Sequence, residues 1–177
     1  PPSPPMVIGS PLSTASSCTT YGPGSVACFM TNADRQLLFG AGPDLVLIHG
    51  WAMHAGILAP LVRELALRFR LHLVDLPGHG WSRDDAGSLA PDEVARRIAE
   101  RVPRATWIGW SLGGLVALEA ALSGQVRALV EVAANPRFVI ADDWPHGVPA
   151  QMFTQFADGL RTDYRRTIER FLALEAH

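Results

Sequence analysis

The sequence predicts an α/β fold: a three-layer sandwich with a mostly parallel sheet between two layers of helices. Three observations carry that expectation. Short, mostly apolar runs recur along the chain and end in Gly, Pro or Asp, without the strict alternation of a strand that has one wet face. Such runs suit strands buried on both faces, as in a parallel sheet. Helix-like stretches separate them, and strand alternating with helix argues for right-handed crossovers. Finally, 177 residues, 48% hydrophobic and 18% charged, suit one domain with a real core.

Residues 1–33 stand apart. They hold no charge, the first charged residue being Asp34, and residues 1–23 contain six of the 14 prolines. Ser and Thr are dense from Ser10 to Thr20. This composition reads as a disordered extension. It lacks the basic start and compact apolar stretch of a secretory signal. Met30-Thr31-Asn32 is a more natural start, with residues 1–29 contributing little to the fold.

Residues 34–134 read as the core. The expected strands are Leu45–Ile48, Leu71–Val74, Ala105–Ile108 and Val126–Val132. The expected helices are Gly56–Arg68, Pro91–Arg101 and Leu112–Leu122. Pro91 suits a first helical turn, and Asp92 and Glu93 sit where the positive end of the dipole favours them. Residues 135–177 read as a helical segment: a loop from Asn135 to Pro149, then amphipathic helices over Pro149–Leu160 and Thr162–Ala176.

Composition excludes several classes of function. The net charge of −2 gives no electrostatic case for nucleic acid. No uninterrupted apolar stretch is long enough for a transmembrane helix. All 15 basic residues are Arg, which reads as compositional bias rather than as a site. Cys18 and Cys28 form neither a disulfide framework nor a metal-ligand spacing, so a reducing cytoplasm is expected, with no metal and no cofactor.

The chemistry is concentrated in Gly109-Trp110-Ser111-Leu112-Gly113, which fits the nucleophile elbow G-x-S-x-G. Five letters alone are weak evidence, and a Gly-rich turn with a capping serine would match them too. The context favours catalysis: an apolar strand runs into the motif and an apolar helix leaves it. A turn that sharp should hold Ser111 in a strained conformation, with small residues either side leaving room for the chain. The helix would then present its positive end to charge developing at the serine.

His49-Gly50-Trp51 follows the first core strand, where this architecture supplies one oxyanion amide; the residue after the nucleophile supplies the other. The candidate donors are the N–H groups of Trp51 and Leu112. The Trp51 side chain reads either as core filler or as a pocket wall beside the nucleophile. His49 is not expected to be the base, because the chain order is Ser, acid, His. It is expected to fix the loop by hydrogen bonding. Asp75 also precedes Ser111; it opens Asp75-Leu76-Pro77-Gly78-His79-Gly80-Trp81-Ser82, which resembles a turn common in α/β-hydrolases and reads as structural. After Ser111 only His146 and His177 remain, neither behind a final strand where a base belongs, and Asp142, Asp143, Asp158 and Asp163 make no better acid.

With these motifs the chain resembles the pimeloyl-[acyl-carrier protein] methyl ester esterases of biotin synthesis. The matching stretches are Leu45–Trp51, Leu71–Gly78, Trp107–Ala117, Val126–Val130 and Glu169–Leu174, the Gly-Trp-Ser-Leu-Gly elbow and Arg170–Leu174 being the most specific. The resemblance implies an α/β-hydrolase sandwich with the start of a helical lid and without the last strands. It implies a monomeric cytoplasmic carboxylesterase that hydrolyses the methyl ester of pimeloyl-acyl carrier protein. Ser111 falls on the nucleophile, and Trp51 and Leu112 on substrate-contacting oxyanion positions. Phe171, Leu172, Ala173, Leu174 and Glu175 fall on the lid segment along the acyl channel. Arg166 and Arg170, four apart on one helix face, fall on the surface that meets the carrier protein, the plain alternative being a solvated face. Members of that family run to roughly 250 residues, a usual domain size. The triad Asp and His have no counterpart here, so this polypeptide alone is expected to be an inactive, aggregation-prone fragment of an active enzyme.

Overall fold

A computed structural model describes residues 36–175. The expected extension over 1–33, Cys18, Cys28 and His177 lie outside the described residues. Five strands form one sheet: β1 (Gln36–Phe39), β2 (Asp44–Ile48), β3 (Arg70–Val74), β4 (Thr106–Trp110) and β5 (Ala128–Val132). Their order across the sheet is β1-β3-β2-β4-β5. Strands β3, β2, β4 and β5 run parallel, and β1 pairs antiparallel with β3. The helices are α1 (Ala59–Leu65), α2 (Pro91–Ala99), α3 (Leu112–Leu122), α4 (Ala150–Thr162) and α5 (Tyr164–Glu175).

The three layers follow from which way each strand side chain points. Val46, Ile48 and Trp107 face α2 and α3, where Val94, Ile98, Val116 and Ala120 close over them. Leu45, Leu47, Leu71 and Leu73 face the opposite side, under Val62 of α1 and Ala55 before it. Alternate residues of β2 thus feed two cores, which is why its sequence is apolar throughout.

Three elements depart from the expectations in more than the position of their ends. Strand β1 was not foreseen: four residues of ordinary composition gain their identity only from pairing with β3, more than thirty positions away. The long helix expected over Gly56–Arg68 is a single 3-10 turn, Ala55–Leu58, followed by α1, which starts afresh with Pro60 in its first turn. Strand β5 is not buried on both faces. Leu129 packs toward α3, but Val130 and Val132 on the other face are 43% and 47% exposed.

Candidate active site

Strand β4 leads directly into the turn at Ser111. The serine has φ 53° and ψ −116°, a region that L residues rarely enter. Such a conformation costs on the order of 1–3 kcal/mol and persists only where its surroundings over-determine it. Here they do. The Ser111 N–H donates to the Val132 carbonyl at 2.9 Å, and the Ser111 carbonyl accepts from Gly114 N–H at 2.8 Å. The flanking glycines are required by close approach. A Cβ on Gly109 would overlap the Gly113 carbonyl and come within 2.6 Å of Gly114 Cα. One on Gly113 would overlap the Ile48 carbonyl and lie 2.7 Å from that of His49. The start of α3 is therefore wedged against the end of β2, which brings the loop after β2 beside the serine. A Cβ built on Gly50 would lie 3.3 Å from Ser111 Cβ.

Ser111 is half-buried, and its hydroxyl has no hydrogen-bond partner among the described residues. The N–H groups of Leu112 and Trp51 likewise have no acceptor among the described residues. Leu112 is the first residue of α3, so its amide lies at the positive end of an eleven-residue helix.

The loop after β2 is held by buried polar groups. His49 is fully buried; its Nδ1 lies 2.6 Å from the Gly50 carbonyl, and its Nε2 accepts from Leu76 N–H at 3.1 Å. Those partners fix the tautomer: Nδ1 carries the proton. Burial pushes the His49 pKa down to about 4, and the nearby His79 and His54 push the same way, against the Gly50 hydrogen bond and Asp75. His49 is thus a neutral tie, as expected, and not a base aimed at the serine. Asp75, also buried, accepts from Ala55 N–H at 2.6 Å and from Trp81 N–H at 2.8 Å, joining the loops after β2 and β3. This is the structural role read from its motif.

The Trp51 side chain is not part of the buried core. It is half-buried, and its ring meets Phe156 of α4 at 5.0 Å and Phe171 of α5 at 5.5 Å, both edge-on. Phe156 and Phe171 are themselves 5.7 Å apart. Of the five residues expected along an acyl channel, only Phe171 is brought to this cluster. Ala173 is exposed, Leu172 and Leu174 are 41% and 78% exposed, and the Glu175 side chain lies outside those described. Phe156 went unremarked in the sequence. The helical spacing of Phe156 and Leu160 points to a partly buried face, but not to the partner on it.

Arg166 and Arg170 are exposed on α5, and neither guanidinium has an ion-pair partner among the described residues. Neighbouring arginines are paired, Arg165 with Glu169 at 2.9 Å and Arg161 with Asp158 at 2.9 Å. His146 is exposed against Trp144 at 5.2 Å and makes no hydrogen bond to Ser111. Among the described residues no group of three or more His, Cys, Asp or Glu side chains is placed to hold a metal ion. No described helix is long and apolar enough to cross a membrane.

Comparison with known proteins agrees with this geometry. The profile of the alpha/beta hydrolase family matches residues 45–176. A pimeloyl-[acyl-carrier protein] methyl ester esterase of Xanthomonas oryzae pv. oryzae is 57% identical over 139 residues, which is 78% of this chain and 55% of that protein. The protein of the same name from Stenotrophomonas maltophilia is 57% identical over 137 residues, 77% of this chain and 53% of its own length. The chain therefore spans about half the length of the curated relatives it matches. Among solved structures, an esterase from Exiguobacterium antarcticum superposes with a TM-score of 0.69 at 24% identity, covering 78% of this chain and 57% of its own, a likeness of fold.

Proposed function

Because the chain belongs to the alpha/beta hydrolase family, we propose that it carries the nucleophile and oxyanion side of a cytoplasmic serine carboxylesterase acting on the methyl ester of pimeloyl-acyl carrier protein. The observation that carries the reading is the strained backbone of Ser111, φ 53°, set against the Gly50 loop. Strained backbone of this kind clusters at functional sites. The substrate rests on the names of the relatives at 57% identity.

The chemistry runs in two halves. Ser111 Oγ attacks the ester carbonyl while its proton passes to a histidine base outside the described residues. The carbonyl oxygen becomes an oxyanion held by the N–H groups of Trp51 and Leu112, each donor typically worth about 2.7–4 kcal/mol of barrier. The bond to the methoxy group breaks, and the base returns its proton to release methanol. Water then attacks the acyl-enzyme by the same route, freeing pimeloyl-carrier protein and Ser111. Nothing in these steps calls for a metal or an organic cofactor.

The Trp51–Phe156–Phe171 cluster supplies an apolar wall beside Ser111 suited to a methylene chain. We assign Leu172, Ala173, Leu174 and Glu175 to the far end of the same acyl path. The cations of Arg166 and Arg170, without an ion-pair partner among the described residues, suit an acidic carrier.

The test is hydrolysis of methyl pimeloyl-carrier protein by the full-length protein and by Ser111→Ala. Activity should fall at least about a thousandfold in the variant, and a fluorophosphonate should label the wild type alone. An unchanged rate in the variant rules the reading out. Equal turnover of short free esters and of the carrier-bound ester would instead favour a general esterase or thioesterase of the same fold. Complete absence of labelling in a folded full-length protein would favour a non-catalytic binding protein.

A further inference from the structure

His79 has no part in the chemistry above, yet its ring is tied at both nitrogens. Nδ1 lies 2.8 Å from the Pro77 carbonyl, which only accepts, so Nδ1 carries the proton. Nε2 lies 3.1 Å from the Ala52 amide nitrogen, which only donates, so Nε2 carries none. Ala52 has φ 61°, a left-handed backbone that a residue with a Cβ does not hold unaided. His79 belongs to the loop after β3 and Ala52 to the loop after β2.

The arrangement is reciprocal. His49 of the first loop accepts from Leu76 N–H of the second, and His79 of the second accepts from Ala52 N–H of the first. The two rings are 5.4 Å apart.

What this does to Trp51 follows from the planarity of peptides. The Trp51 N–H shares a plane with the Gly50 carbonyl, which is held by His49 Nδ1–H at 2.6 Å and by Met53 N–H at 3.3 Å. The next plane, between Trp51 and Ala52, is held by His79 through the Ala52 N–H. One imidazole pins each plane that flanks Trp51. The His79 ring also meets the Trp51 indole edge-on at 6.4 Å.

We propose that His79 is a positioning residue that, as a neutral acceptor for the Ala52 amide, aims the Trp51 N–H at the oxyanion. The inference rests on the roles given above to Ser111 and the Trp51 amide. Displacement of a preorganised donor by about an ångström costs on the order of a hundredfold in rate, and it acts where charge develops rather than on substrate binding.

The test uses the full-length protein with His79→Asn, His79→Gln and Ser111→Ala as a control. An asparagine amide reaches only the Nδ1 position and keeps the Pro77 contact, whereas glutamine extends a carbonyl to the Nε2 position and can accept from Ala52. On methyl pimeloyl-carrier protein, His79→Asn should lose about 10–100-fold in kcat with KM within about twofold, and His79→Gln should recover to within about fivefold of wild type. A normal kcat in the Asn variant, a loss confined to KM, or a Gln variant as slow as the Asn variant overturns the proposal. Should the Asn variant not fold, the Gln variant decides: kcat within about fivefold supports the proposal and a hundredfold loss overturns it. Ser111→Ala keeps the two questions apart. If it is as active as wild type, the reading of the site fails. If it is inactive while His79→Asn is normal, only the role of His79 fails.

Discussion

Acid should loosen the protein through His49. The His49 pKa is held at about 4 against an ordinary value of 6.5, chiefly because the ring is buried. Between those values the unfolded chain binds a proton that the folded chain refuses, so stability falls as pH falls. The contribution is complete above about pH 6.5, and linkage with those two values removes about 2 kcal/mol by pH 5 and about 3 kcal/mol by pH 4. The cost has a structural form: a proton on Nε2 would set an N–H against the Leu76 N–H it now accepts from, breaking the tie between the two loops. Urea unfolding followed by tryptophan fluorescence at pH 7.5, 6 and 5, on the full-length wild type and His49→Gln, measures this directly. The variant should be less stable at pH 7.5, since glutamine cannot satisfy both Leu76 and Gly50. It should also lose about 2 kcal/mol less than wild type on going to pH 5. If the two proteins decline in parallel, His49 does not titrate between the states and the reasoning fails.

Two further outcomes are expected. Gly109→Ala puts a methyl group against the Gly113 carbonyl and 2.6 Å from Gly114 Cα, both backbone, so nothing flexible can give way; it should cost about 2–3 kcal/mol in urea unfolding and abolish Ser111 labelling even in the fraction that folds. Charge reversal at the exposed α5 cations, Arg166→Glu with Arg170→Glu, should raise KM for the carrier-bound ester by about 10–100-fold, leave a free methyl ester unaffected, and flatten the salt dependence of kcat/KM.

How much of this was legible in the sequence depends on how local the cause is. Helix α3 was read end to end, because the elbow starts it and Ser123-Gly124, with Gly124 at φ 73°, stops it. The strain at Ser111 was legible for the same reason: close approach at Gly109 and Gly113 is written as glycine. The start of α5 was missed by two residues although its signal was present, since Asp163 breaks from the helical backbone and its carboxylate accepts from Arg166 N–H at 3.2 Å. What could not be read were effects set by distant neighbours. Strand β1 exists because β3 offers it an edge. The wet face of β5 reflects which helices lie over it, not its own residues. Phe156 and His79 look like a core aromatic and a loop histidine until the chain brings both to Trp51.

Trp51 is where those distant effects meet, and it joins two functions that the sequence would keep separate. Its backbone amide belongs to the oxyanion side of the proposed site, pinned from below by His49 and His79. Its indole, on the proposed acyl side, is gripped edge-on by Phe156 of α4 and Phe171 of α5. Among the described residues α4 and α5 have no buried side chain, so the aromatic cluster is a principal anchor by which they sit on the core. Edge-on aromatic pairs contribute about 0.5–1.5 kcal/mol each beyond the area they bury, enough to seat a pair of helices but small enough for a ligand to rearrange. On the proposed reading, an acyl chain entering between Phe156 and Phe171 presses on the residue whose amide is assigned to the oxyanion. The loop can carry that load only if its peptide planes are fixed from the other side, and buried His49 and half-buried His79 fix them through the Gly50 carbonyl and the Ala52 N–H.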